Sequence, residues 1–287
     1  MSETSCPPLG VIAGAGRFPF MVVEGARKAG CQVVVAGLRG LADPALRDIA
    51  DEFHWVGALR LGSWVRVFSR GGVQRAIMAG YVRKQEMYGR FGVLGLIPDP
   101  MFLKLWLFDL PDRRNDTVLC AVADLLKTRG IELQDATQYC AESLAATGVL
   151  GSVQPSAGVR KDIEFGWHIA KAMGDLDIGQ AIAVKDAEVV AVEAIEGTDR
   201  MIERAGQLCR KGGWTLLKVA KPEQDMRFDI PTVGPDTIEN LHSNGAGALV
   251  IEAGKTVVVE RERMLQAADR YRIVVVAVEN LKNNRAK

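Results

Sequence analysis

Through roughly its first 130 residues the chain keeps changing periodicity, with short apolar runs rich in β-branched residues giving way to stretches whose apolar residues recur at helical spacing. LGVIAGAG leads into a helix from about Pro19 to Ala29, CQVVVAGL follows, and VQRAIMAGY stands after Gly71-Gly72. Asp116 to Thr128 then carries Val118, Leu119, Val122, Leu125 and Leu126 on one helical stripe. Strands alternating with helices predict a parallel sheet wound as in nucleotide-binding folds.

The second half reads differently. A helix from Ile163 to Met173 precedes GQAIAVKDAEVVAVEAIEG, two β-branched runs around a Lys-Asp-Ala turn, which predicts a hairpin. A helix from Thr198 to Cys209 and the strand WTLLKVA follow; GALVIEAGKTVVVE then reads as a second hairpin, ahead of a helix from Arg261 to Arg270 and the strand RIVVVAV. Two passages in the order hairpin, helix, strand, with Glu193 opposite Glu260, suggest a duplicated unit. Between them and the first half, DATQYCAESLAATGVLGSVQPSAGVRK is rich in Gly, Ser, Thr and Ala and reads as a crossing segment. The expected fold is α/β in two domains. A Rossmann-like parallel sheet occupies 1–135, the crossing segment 136–160, and a mixed α/β catalytic domain with β-hairpins 161–287.

At 287 residues and 48% hydrophobic, the chain can bury the cores of two such domains. Thirty-six basic against 35 acidic residues leave a net charge of +1, too little to draw the protein onto a polyanion, and nucleic acid is set aside as a partner. The five cysteines form no CxxC pair and have no histidine at ligand spacing, which argues against a zinc site or a disulfide framework and favours a reducing, cytosolic compartment. No basic segment precedes an apolar one at the N-terminus, and no stretch approaches the ~18 unbroken apolar residues of a spanning helix. The longest apolar stretch, residues 91 to 112, is greasy on all sides from Met101 to Leu110, as in a buried helix or a wall that meets lipid.

Three places can carry chemistry. GAGRFP, with Gly14, Gly16, Arg17 and Phe18, ends the first strand, where backbone N–H groups and a helix N-terminus can hold an anion. It lacks the third glycine of GxGxxG, and Ala36, Gly37, Leu38 and Arg39 close the second strand without an acidic residue for a ribose, so a dinucleotide reading is weak beside a purely structural tight turn or a nucleotide or phosphate contact without redox. In the second half, Glu193, Glu196, Asp199, Asp225 and Asp229 lie at strand ends and loops, and hard divalent cations take such oxygen donors together with substrate phosphates. Lys218 and Lys221 stand where they could neutralise the same phosphates; the alternative is structural ion pairing. Thr198 reads as a helix N-cap or a phosphate contact. No Ser–His–Asp or Cys–His order and no GxSxG disfavour a covalent nucleophile.

LDIGQAIAV, VEAIEGTDRMI, LLKVAKPEQDMRFDIPTVGP and the closing GALVIEAGKTVVVERERM resemble, in order and spacing, the UDP-2,3-diacylglucosamine pyrophosphatases of lipid A biosynthesis, LpxI type, with IAGAGRFP at the place of that family's glycine-rich opening. The resemblance implies a two-domain enzyme, peripheral to the cytoplasmic face of the inner membrane. It would hydrolyse UDP-2,3-diacylglucosamine to 2,3-diacylglucosamine 1-phosphate (lipid X) and UMP, directing water at the β-phosphorus with a divalent metal, Mg²⁺ or a cation such as Mn²⁺. The family's essential aspartate matches Asp225, which would orient or deprotonate water or else hold the metal.

On this reading Lys218 and Lys221 join Asp225 in catalysis, Glu193, Glu196, Asp199 and Asp229 compete for the metal, and Gln180, Gln224, Arg227 and Thr232 join Thr198 and the glycine loop in contacting substrate. A homodimer could form through apolar hairpin edges. The rival readings are an NAD(P)-dependent oxidoreductase, with Arg39 near a 2′-phosphate, and a nucleotide-sugar or lipid-binding module without turnover.

Overall fold

Successive strand–helix units in the first half build one parallel sheet. The strands are β1 (Cys6–Ala13), β2 (Cys31–Leu38), β3 (Glu52–Val56), β4 (Arg75–Ala79) and β5 (Glu132–Leu133), and the helices are α1 (Phe18–Lys28), α2 (Leu61–Arg70), α3 (Pro100–Lys104) and α4 (Asn115–Thr128). The strands lie in the order β3-β2-β1-β4-β5, every neighbouring pair parallel. That order reverses at β1, so the glycine loop leaves the carboxyl end of the strand where ligands collect in doubly wound folds. Parallel strands are covered on both faces, which is why LGVIA and VVVAGL are apolar throughout. The computed structural model describes residues 6–82, 97–112, 114–222, 225–228 and 230–279.

The chain divides into two units, Met1–Ala141 with Asp225–Asp229, and Glu142–Gln224 with Ile230–Lys287. The short segment that begins at Asp225 thus belongs to the first unit although the strand before it belongs to the second. Phe228, 3% exposed, anchors it among Val122, Ala123 and Leu126 of α4, and Ala136 N donates to Met226 O at 2.8 Å.

The second unit holds β6 (Gly148–Val149), α5 (Ala157–Asp175), β7 (Ala181–Lys185), β8 (Glu188–Val192), α6 (Thr198–Leu208), β9 (Trp214–Lys218), β10 (Thr232–Val233), α7 (Pro235–Ser243), β11 (Ala246–Glu252), β12 (Val257–Val258), α8 (Arg261–Tyr271) and β13 (Val274–Val278). Its main sheet runs β6-β13-β11-β9-β7-β8. β9, β11 and β13 are mutually parallel, while β7 is antiparallel to both β8 and β9. Alternate residues of each strand serve opposite cores. Leu216, Leu249 and Val275 pack with Met201, Ile238 and Met264, whereas Leu217 and Val250 pack with Ile163 and Trp167 of α5.

Three expectations are corrected. GALVIEAGKTVVVE is not a hairpin: β11 lies between β9 and β13, and β12 turns away to pair in parallel with β10. The turn after Glu252 carries the chain out of the sheet with Thr256 fully buried, so the proposed duplication extends no further than a helix and a strand. Cys6 and Cys31 are joined as a disulfide, because β1 and β2 pair with these residues directly opposite; a separation of 25 residues gave no sign of it. Of the two readings of Met101 to Leu110, the buried helix is the one corrected, because the segment is not wholly buried. α3 runs on into a π turn, Leu105–Asp109, that turns Leu105 to the core and leaves Leu107 and Phe108 62% and 79% exposed.

Candidate functional site

In the first unit the site-forming segment is Asp225–Phe228. Asp225 Oδ1 accepts the backbone N–H of Arg227 at 3.0 Å, an aspartate turn that brings the Arg227 side chain back onto its carboxylate. Arg227 Nε donates to both oxygens at 3.0 Å and Nη2 to Oδ2 at 2.6 Å. The Arg227 side chain, and then its backbone N–H, hold the Asp225 carboxyl below its ordinary range against the opposing effect of burial. The same bond raises the Arg227 guanidinium, and burial followed by the charge of Asp225 pushes up the Cys120 thiol on α4. Asp225 is therefore a fixed anion at neutral pH. Arg227, expected to contact substrate, is its clamp.

The glycine loop is tied to the end of β4. Gly14 N donates to Ala79 O at 2.8 Å, and Ala15 and Tyr81 form a bridge in both directions, so those two N–H groups already have acceptors. A Cβ on Gly14 would lie 2.8 Å from Tyr81 O, and this approach is what requires glycine there. Gly16 turns the chain at φ 93°, Arg17 lies over the Phe20 ring at 4.2 Å, and Phe18 is 6% exposed in the core.

In the second unit the structure gathers Glu193, Thr198 and Gln180. The Thr198 hydroxyl donates to Glu193 Oε1 at 2.9 Å, and Gln180 N reaches Oε2 at 3.4 Å. Thr198 is not the N-cap but the first residue of α6; Gly197, at φ 81°, is the cap, and the Thr198 hydroxyl turns back to Glu193. Glu196 is held by Arg204 at 2.6 Å; burial raises its carboxyl, but its own backbone N–H and Arg204 bring it below the ordinary value. Asp199, in the first turn of α6, is exposed and accepts Asn240 Nδ2 on its carbonyl at 3.3 Å.

Both lysines are engaged. Lys218 Nζ donates to Thr232 O at 3.0 Å, while the Thr232 hydroxyl donates to Ile230 O. Lys221, 8% exposed, pairs with Asp177 at 2.6 Å. Gln224 and Asp229 lie outside the described residues. Among the described residues no three His, Cys, Asp or Glu side chains gather where they could hold a metal ion.

Family models described as the LpxI N-terminal domain and the LpxI C-terminal domain match residues 8–143 and 146–276. The chain belongs to the LpxI family. A curated relative, UDP-2,3-diacylglucosamine pyrophosphatase LpxI of Caulobacter vibrioides, is 33% identical over 283 residues, covering 94% of this chain and 97% of the relative.

Beyond the residues singled out by sequence, this LpxI-family chain has a buried brace beneath Lys221. Lys171 of α5 and Glu252 at the end of β11 pair at 2.9 Å, with 14% and 3% of their side chains exposed. Lys171 Nζ donates to Ala220 O at 2.7 Å and Ala220 N to Glu252 Oε2 at 2.9 Å, so the pair holds both backbone groups of the residue before Lys221. Neither was visible beforehand, since a lone charge in an amphipathic helix or at a strand end reads as a solvated face. Asp177 carried a weak signal, an aspartate just past a helix end, a position that tolerates its φ of 54°.

Proposed function

We propose that this chain hydrolyses the diphosphate of UDP-2,3-diacylglucosamine, releasing UMP and 2,3-diacylglucosamine 1-phosphate, as an enzyme of lipid A synthesis. The observation that carries the reading is the match over nearly the full length of both chains to a relative named for that activity. An ionised Asp225 locked by Arg227 is compatible with it, because hydrolysis of an anhydride wants a fixed group that orients water.

The oxygen of water attacks the β-phosphorus, the bond from that phosphorus to the bridging oxygen breaks, and the bridging oxygen leaves with UMP. A proton of the water passes to solvent or a base. Asp225 orients the water, or binds the metal beside it, rather than storing a proton at neutral pH. A divalent cation, Mg²⁺ or Mn²⁺, would neutralise phosphoryl oxygens and lower the pKa of bound water. Mg²⁺ takes only one or two carboxylates besides substrate phosphates, and Asp225, kept charged, is a donor of that kind.

We place the enzyme at the cytoplasmic face of the inner membrane, as a peripheral protein acting on a lipid-linked nucleotide sugar, and propose a homodimer. Among the described residues no helix is long and apolar enough to cross a membrane. The test is incubation with UDP-2,3-diacylglucosamine and Mg²⁺, with and without EDTA. Equimolar UMP and 2,3-diacylglucosamine 1-phosphate, abolished by EDTA, are expected; tight binding without products would favour a binding module. A change in NADPH fluorescence on titration would favour the oxidoreductase.

A further inference from the structure

We infer that Cys6 and Cys31 form a reversible redox-modification site for low-molecular-mass thiols, and that its state governs how firmly the first unit holds the segment Asp225–Phe228. The inference goes beyond the hydrolase reading and does not rest on it. A disulfide in a compartment that keeps thiols reduced is usually redox-active rather than structural. β1 opens with Cys6, Pro7 and Pro8, and its register to β2 shifts between Cys6 and Leu9. Neither proline has an N–H for the ladder, so the bond to Cys31 does there what hydrogen bonds do along the rest of the strand. From Leu9 to Ala13, β1 pairs with β2 on one side and β4 on the other, and the sheet can survive the opening of that bond.

The two sulfurs differ in their surroundings. Cys6 is partly exposed, while Cys31 is 5% exposed. Arg75 Nη2 lies 3.4 Å from Cys6 Sγ, and the Tyr139 hydroxyl lies 3.7 Å from Cys31 Sγ. A thiolate attacks Cys6 Sγ, the accessible sulfur; a new S–S bond forms as the bond between the cysteines breaks, and Cys31 leaves with the electron pair and takes up a proton. A second thiolate attacks the incoming sulfur of the mixed disulfide, forms the oxidised reagent and releases Cys6 as a thiolate beside the guanidinium, which favours that form. Two thiols are oxidised and the cysteine pair gains their two electrons; the oxidised reagent reverses both steps.

Tyr139 ties this chemistry to the site. It belongs to the turn after β5, which is closed by Thr137 N and Oγ1 donating to Asp135 Oδ1, both at 2.7 Å, and by Cys140 N donating to Thr137 O at 2.9 Å. Gly25 of α1 packs so closely on the Tyr139 carbonyl that a Cβ would overlap it. The same turn offers Ala136 N to Met226 O. Once reduced, Cys31 parts from Cys6 and the sulfur met by the Tyr139 hydroxyl is no longer held in place, so the turn and the Asp225 segment behind it loosen together.

The experiment equilibrates the full chain with mixtures of reduced and oxidised glutathione, traps free thiols by alkylation and reads the Cys6 and Cys31 peptides by mass spectrometry. Disulfide in the oxidised mixture and two thiols in the reduced one, interconverting with an unchanged circular dichroism spectrum, are expected. Arg75→Gln should move the midpoint about tenfold toward the disulfide, because Cys6 loses the cation that favours its thiolate. Hydrogen exchange at Arg227 and Phe228, whose N–H groups bond to Asp225 Oδ1 and Asp225 O, should be about tenfold faster in the reduced chain, and in Cys31→Ser under either mixture. No disulfide in the oxidised mixture, a disulfide that persists in the reduced one, or unfolding on reduction would overturn the proposal. So would a midpoint unmoved by Arg75→Gln, or exchange at Arg227 and Phe228 that ignores the state of the pair.

Discussion

The Arg227 guanidinium holds both carboxylate oxygens of Asp225, with Nη2 2.6 Å from Oδ2 and Nε 3.0 Å from each. Two parallel charge-assisted bonds fix the carboxylate plane as well as its charge, which a lysine could not reproduce. The folded pKa lies below the unfolded value of about 3.9. The pair's contribution to stability is therefore present above that value and lost as pH falls through the folded one. Arg227→Gln should lower kcat/KM about 10- to 100-fold and move the acidic limb of its pH profile upward, because Asp225 then protonates more readily. Arg227→Lys should restore part of the rate. An unshifted limb in Arg227→Gln would mean that Asp225 does not set it.

The brace under Lys221 is a stability element. Removing one member of a buried pair leaves a charge without its partner, so Lys171→Met should cost about 3–5 kcal/mol, read from the urea midpoint at unchanged m. Glu252 would retain Lys255 at 3.5 Å and Ala220 N, which places the expected cost toward the lower end. A loss below about 1 kcal/mol would mean that solvent already reaches the pair.

Two glycines should respond in opposite directions to alanine. A Cβ on Gly179 would overlap the Glu193 carbonyl, so Gly179→Ala must push apart the chain segments that position Gln180 and Glu193. Its expected cost is about 1–3 kcal/mol, with activity falling alongside. A Cβ on Gly158, in the first turn of α5, meets Ser156 Oγ only at 3.7 Å, and Gly158→Ala should stabilise by about 0.5–1 kcal/mol. Thermal unfolding of the two variants side by side checks both signs.

The legible features were those written in local pattern. Alternating strand and helix runs foretold the parallel sheet, and the Lys-Asp-Ala turn foretold β7–β8, whose Asp186 and Ala187 take φ of 53° and 60°. Partner choice was less visible. Val257 and Val258 have the composition of a hairpin strand but pair with β10, because apolar alternation does not name a neighbour. The mixed charges around Asp225 pointed to a site and yet concealed its arrangement. Arg227 reaches back two residues, Lys221 reaches Asp177 44 positions earlier, and Asp225 folds with the first unit. Long-range ion pairs leave no periodicity to read.

Hydrolysis of UDP-2,3-diacylglucosamine in H₂¹⁸O, by the parent and by Asp225→Ala, with the label located by mass spectrometry, is the decisive measurement. Attack at the β-phosphorus assisted by Asp225 places ¹⁸O in 2,3-diacylglucosamine 1-phosphate, and turnover collapses in the variant. Label in UMP, or a variant as fast as the parent, would contradict it.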